Sequence, residues 1–81
     1  MAKHSLFVSV ASVSESLFSG EAESITLPGI AGEMTILANH EPLITILKEG
    51  TLTIRTKSDK KAIKVTRGVL EISNNTANIL L

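Results

Sequence analysis

His4, His40 and the single aspartate, Asp59, are the side chains from which a metal centre or a catalytic relay would have to be built, and there is no cysteine to assist them. Zinc needs clustered ligands, and two histidines 36 positions apart with no thiolate do not supply them, so no metal is expected. A Ser/His/Asp relay can be written with His40 and Asp59, yet no serine is framed by the glycines of a nucleophile elbow. Gly29-Ile30-Ala31-Gly32 has loop-forming glycines but lacks the Gly-Lys-Ser/Thr ending that lets backbone amides and a lysine hold phosphates. No catalytic residue and no cofactor are therefore assigned. Asn74-Asn75-Thr76 has the pattern of a glycosylation acceptor, but without export it reads as a turn.

Charge narrows the partners. The chain has eight bases and eight acids, a pI near 6.7 and two aromatic residues, Phe7 and Phe18, so it offers neither a broad positive field nor a stacking platform for nucleic acid. The balance is segregated along the chain: Lys3 alone faces Glu15, Glu21, Glu23, Glu33 and Glu41 up to residue 47. Beyond it, Lys48, Arg55, Lys57, Lys60, Lys61, Lys64 and Arg67 outnumber Glu49, Asp59 and Glu71. The basic run from Arg55 to Arg67 reads as a hairpin whose lysines keep an exposed strand from pairing with other chains. A hairpin for an acidic partner is the sharper alternative. No apolar run approaches the roughly 20 residues that span a bilayer, so no membrane insertion is expected. Met1 to Val13 imitates a signal peptide only faintly, because Ser5, Ser9 and Ser12 interrupt its apolar part.

The elements that must position these residues are strands. Val, Ile and Thr make up 22 of the 81 residues, and their branched side chains favour pleated backbone. Alternation at Leu6/Val8/Val10, Leu52/Ile54, Ile63/Val65, Leu70/Ile72 and Ala77/Ile79/Leu81 confirms it. Turn signals fall at Ser14 to Ser16, Ser19-Gly20, Pro28-Gly29, Asn39 to Pro42, Lys48 to Gly50, Ser58 to Lys60, Arg67-Gly68 and Asn74-Asn75. A single sheet of that many strands leaves one face uncovered, so the expected fold is all-β. Two antiparallel sheets of about eight to ten short strands pack as a β-sandwich over an aliphatic core, with the two Phe as its bulky members. Leu43 to Leu47 is apolar at almost every position, which makes it either a strand covered on both faces or an exposed interface.

One stretch is more specific than composition. Leu17-Phe18-Ser19-Gly20, Leu27-Pro28-Gly29-Ile30-Ala31-Gly32-Glu33, Asn39-His40-Glu41-Pro42-Leu43 and Gly68-Val69-Leu70-Glu71 stand in the order and spacing of four motifs. Together they resemble the epsilon subunit of F-type ATP synthases, equivalent to the mitochondrial delta subunit. Two positions depart from the family pattern: Thr35 and Asn39 stand where glycine is usual. Asn tolerates positive φ, so Asn39 fits the same loop.

The resemblance implies a non-catalytic rotor subunit of the central stalk, linking the gamma shaft to the ring of c subunits and supporting the coupling of proton flow to ATP synthesis. It implies a peripheral place on the cytoplasmic face of a bacterial plasma membrane, or its organellar equivalent. By similarity, the loop bearing Glu33 and His40, which flank an apolar hairpin from Met34 to Leu37, is the tip facing the c-ring, and Ser12 and Thr45 face the gamma shaft. Residues 1–81 correspond to the sandwich domain alone, and the helical hairpin that follows it in the family is expected to be absent. The competing expectation is a stand-alone peptide- or carbohydrate-binding sandwich that adds a partner strand along Leu43 to Leu47.

Overall fold

The computed structural model describes residues 4–81; Met1, Ala2 and Lys3, the charged start of the faintly signal-like segment, lie outside the described residues. The described chain forms nine strands and no helix: β1 (Leu6–Ala11), β2 (Ser16–Ala22), β3 (Ser24–Gly29), β4 (Gly32–Leu37), β5 (Leu43–Leu47), β6 (Gly50–Arg55), β7 (Lys60–Val65), β8 (Gly68–Ser73) and β9 (Thr76–Leu80). They hydrogen-bond in the order β2-β1-β9-β8-β5-β3-β6-β7, with β4 on the free side of β3.

That continuous ladder folds into two layers at its weakest joint. β5 and β3 share one register pair, Gly29 with Leu47, reinforced by the Ile30 N–H donating to the Ile46 carbonyl and the Lys48 N–H donating to the Pro28 carbonyl, both at 2.9 Å. On one side of this corner lie β2, β1, β9, β8 and β5; on the other lie β4, β3, β6 and β7. The inward residues of both halves, among them Leu6, Val8 and Val10 of β1, Ile25 and Leu27 of β3, Leu52 and Ile54 of β6, and Leu70 and Ile72 of β8, form one buried cluster. The all-β sandwich expected from the sequence stands.

Three details differ from the expectation. The pairing is not wholly antiparallel, because β1 and β9 run parallel, Phe7 opposite Thr76 through to Ala11 opposite Leu80. The chain between them is long, so no tight turn forces the antiparallel sense that hairpins impose. The core is aliphatic without its two aromatics: Phe7 points outward and is 39% exposed, and Phe18 only packs partly against the cluster. Ser19-Gly20 and Pro28-Gly29, read as turns, lie inside β2 and β3. Their turns come later, at Glu23 and at Ile30-Ala31, where Gly32 takes up a φ of 140° that a side chain would strain.

The remaining turns follow their residues. Asn74 and Asn75 join β8 to β9 with φ of 51° and 56°, the paired left-handed conformation of a two-residue hairpin that matches strand twist. Asn39 has φ 65°, as its place in a glycine position required. Asn75 also ties three segments together: its Oδ1 accepts from the Asn39 N–H and its Nδ2 donates to the Ser5 carbonyl, both at 2.8 Å.

Candidate interaction surface

The strand register sorts the eight turns and the last residue, Leu81, into two ends. The turns after β1, β3, β5 and β7 gather with Leu81 at the corner end, and those after β2, β4, β6 and β8 gather at the other. Side chains alternate across each strand, so the outer face of β1, β9, β8 and β5 reads as rows. Nearest the corner end, Ala11 lies opposite Leu80, Leu80 opposite Val69, and Val69 opposite Ile46, an unbroken apolar row across four strands. The next row is polar except at its last position: Ser9, Asn78, Glu71 and Ile44. The third holds Phe7, Thr76 and Ser73.

These side chains meet solvent. Ile44 is 74% exposed, Leu80 57% and Ile46 56%, and beyond the row Ile30 and Val13 are exposed in the corner-end turns. Contiguous exposed aliphatic surface rimmed by polar groups marks an interaction site on a soluble domain more often than it marks accident. Within this face a shallow depression is lined by Ser9, Ala11, Val69, Glu71, Asn78 and Leu80. The Asn78 Nδ2 donates to Glu71 Oε1 at 3.1 Å, and this bond with one from Ser73 holds the Glu71 carboxyl below the usual carboxylate range.

The residues expected at interfaces are distributed otherwise than the sequence suggested. Met34 to Leu37 belongs to the strand β4 rather than to a hairpin tip. Glu33 lies at the corner end, in register with Pro28, whereas His40 follows β4 at the opposite end, beside Asn39 and its bond to Asn75. One tip therefore does not carry both. Ser12 sits at the corner end, its N–H donating to the Glu15 carbonyl at 2.9 Å, directly after Ala11 of the apolar row. Thr45 is half-buried on the core-side register of β5, and the positions that the strand presents outward are its neighbours Ile44 and Ile46. Thr35, the other departure from the family pattern, is a strand position whose hydroxyl lies 3.2 Å from that of Thr26.

The relay that could be written on paper is not assembled. The His40 Nδ1 lies 2.7 Å from the Glu41 carbonyl, and Asp59 is engaged in its own turn, its carboxylate accepting from the Lys60 N–H at 2.8 Å. Among the described residues no three His, Cys, Asp or Glu side chains come together as a metal site would require, and no helix is long and apolar enough to cross a membrane. The edge expected to accept a partner strand is closed on one side, where β5 pairs with β8 along its length, and pinned at Leu47 on the other.

Sequence reasoning did not name Leu80, Val69 and Glu71 as interface residues. The available signal was the apolar doublets Val69-Leu70 and Ile79-Leu80, which break alternation and force one aliphatic side chain onto the outer face.

A family model for the "ATP synthase, Delta/Epsilon chain, beta-sandwich domain" matches residues 5–81. The chain belongs to this family. Among its relatives, the ATP synthase epsilon chain of Leptospira borgpetersenii serovar Hardjo-bovis is 42% identical over 80 residues, covering 99% of this chain and 63% of the relative. That of Janthinobacterium sp. (strain Marseille) is 38% identical over 79 residues, 95% of this chain and 56% of the relative. The chain thus spans about three-fifths of these relatives' length. A chain in the cryo-EM structure of the Euglena gracilis mitochondrial ATP synthase (OSCP/F1/c-ring) superposes with a TM-score of 0.91 at 19% identity, over 99% of this chain and 52% of that one. One in the Tetrahymena thermophila mitochondrial ATP synthase central stalk and c-ring gives 0.79 at 18%, over 99% and 65%. At such identities the likeness speaks for the fold, and it agrees with the delta/epsilon sandwich.

Proposed function

We propose that this delta/epsilon sandwich is a non-catalytic central-stalk subunit of a proton-translocating ATP synthase, linking the gamma shaft to the c-ring and supporting the coupling of proton flow to ATP synthesis. The observation that carries the reading is the apolar row of half-buried Ala11 and exposed Leu80, Val69 and Ile46 on a sandwich of this family. A stalk part works by staying rigid between two contacts, and a closely packed aliphatic core resists deformation without any metal or disulfide.

In this reading the apolar row and Ile44 dock on the gamma shaft, with Ser12 at the border of the contact. Thr45 supports it from beneath, through the strand that presents Ile44 and Ile46. The corner-end turn bearing Ile30, with Glu33 beside it at the start of β4, faces the c-ring, and His40, at the far end, lies outside that contact. The chain is peripheral, held to the membrane sector through its partners, on the cytoplasmic face of a bacterial membrane or its organellar equivalent.

The test is reconstitution. Catalytic head carrying its gamma shaft, stripped of its own epsilon chain, is mixed with this chain and separated by size. Co-migration is expected, and Ile46→Ser with Val69→Ser, two exposed positions that cost the fold little, is expected to abolish it. A chain that never co-migrates overturns the assignment. Co-migration that survives the double substitution moves the shaft contact to another face.

A further inference from the structure

Across β1, β9, β8 and β5, the strands proposed to dock on the shaft, the outer face carries one charge, with Glu21 of β2 beyond its border opposite Phe7. On β1, β9, β8 and β5 the outward positions are Phe7, Ser9 and Ala11, then Thr76, Asn78 and Leu80, then Val69, Glu71 and Ser73, then Ile44 and Ile46; only Glu71 among them ionises. It stands at the middle of the face, opposite Ile44 on one side and Asn78 on the other, one row from Val69 and Leu80. In the Gly68-Val69-Leu70-Glu71 run that ends the family pattern, Leu70 fills the core and Gly68 lets β8 approach Leu80, so both have structural work. Glu71 has none that burial explains.

Its carboxylate is nevertheless held. Asn78 donates to Oε1 at 3.1 Å, which fixes the group in place, and Asn78 with Ser73 beside it favours the ionised form. An ionised carboxylate accepts at about four lone-pair sites, so the bond from Asn78 leaves room for more. No base stands beside it in its row, Ser9, Asn78, Glu71 and Ile44. When a partner covers the surrounding aliphatic side chains, it removes water from this carboxylate as well. A charge so desolvated is costly unless it is paired, and an opposite charge on the partner pairs it most strongly.

Resting on the shaft-docking reading, we infer that Glu71 is the polar anchor of that face. It receives a lysine or arginine side chain of the docking protein in the depression lined by Ser9, Ala11, Val69, Glu71, Asn78 and Leu80. The partner surface is thereby specified: an aliphatic ridge interrupted by one cation, seated between the row of Ile46, Val69 and Leu80 and the carboxylate. The aliphatic contacts supply adhesion. The ion pair fixes register, because a ridge shifted by one row sets its cation against Leu80 or Val69 and leaves Glu71 unpaired.

The experiment measures affinity of this chain for the gamma-bearing catalytic head stripped of its epsilon chain, at salt concentrations from about 50 to 500 mM, where screening shortens the reach of charge. Glu71→Gln keeps an acceptor for Asn78 and removes only the charge. It is expected to weaken binding roughly tenfold at low salt and to flatten the salt dependence, with Glu71→Lys weaker still. Circular dichroism and melting verify that both variants fold, and Glu21→Gln, an outward carboxylate on the neighbouring β2, serves as the matched control with no change. If Ile46→Ser with Val69→Ser abolishes binding while Glu71→Gln binds as the unaltered chain does at every salt concentration, the anchor is overturned and the docking face stands. If neither substitution weakens binding, the face and its anchor fall together.

Discussion

Single atoms decide several positions in this small fold. At Gly68 an added Cβ would stand 2.6 Å from the Leu80 carbonyl oxygen and 2.9 Å from a Leu81 methyl, so a side chain there must push β9 away from β8. Gly68→Ala is expected to destabilise the domain by about 1–3 kcal/mol, the usual cost of overpacking. The thermal midpoint should fall by about 4–8 °C for each kcal/mol in a domain of this size. An unchanged midpoint would show that the approach of the two strands is looser than it stands here. Glycine at this position was legible in the sequence as part of a motif, but its reason was not, because the atoms it avoids come from the last two residues of the chain. The asparagines were legible with their reason. Asn39, Asn74 and Asn75 occupy positive φ, and Asn is the non-glycine residue that reaches that region most cheaply.

At the scale of strands, alternation revealed those that bury one face in full and faded in those that bury it in part. β1, β6, β8 and β9 place Leu, Ile, Val or Ala on every second position, and the burial follows that alternation. β2 and β4 are edge strands that bury one residue each, Ala22 and Ile36; Phe18 and Met34 on the same faces are only half-buried, so their alternation is faint among the Ser, Gly, Glu and Thr positions. The interface residues were hidden for a related reason. Glu33 and His40 lie close in sequence, and only the existence of β4 between them sends them to opposite ends. β7, at the end of the ladder, shows how an edge is guarded. Its Lys60, Lys61 and Lys64 are exposed on both faces of a strand whose outer backbone groups have no partner strand. Replacing these three by Thr should produce edge-to-edge association, seen as growing light scattering. Replacing Lys48, Lys57 and Arg67 in the turns by Thr makes the same charge change and should leave the protein monodisperse. Equal behaviour of the two triple variants would mean that net charge, not edge protection, keeps the molecule apart.

For the whole molecule, the governing fact is that its first and last strands are neighbours. β1 sits between β2 and β9, so the sheet is complete only after both ends of the chain have met, and closing so long a loop costs entropy before any contact repays it. Refolding from denaturant should therefore be a single slow phase in the range of about milliseconds to seconds, as for other sandwiches dominated by distant pairings. Stopped-flow measurement showing folding within microseconds would contradict this dependence on end-to-end pairing. The same neighbourhood has a mechanical side. Because β1 and β9 are parallel and adjacent, a pull between residue 5 and residue 81 drags the two strands past each other along their length. The bonds from Phe7/Thr76 to Ala11/Leu80 then bear the load together, rather than peeling open in turn as a hairpin's bonds do under the same tension. Unfolding under force is set by the rate of crossing the barrier rather than by equilibrium stability. The first and last strands of this sandwich are thus joined by the element best placed to withstand a tug.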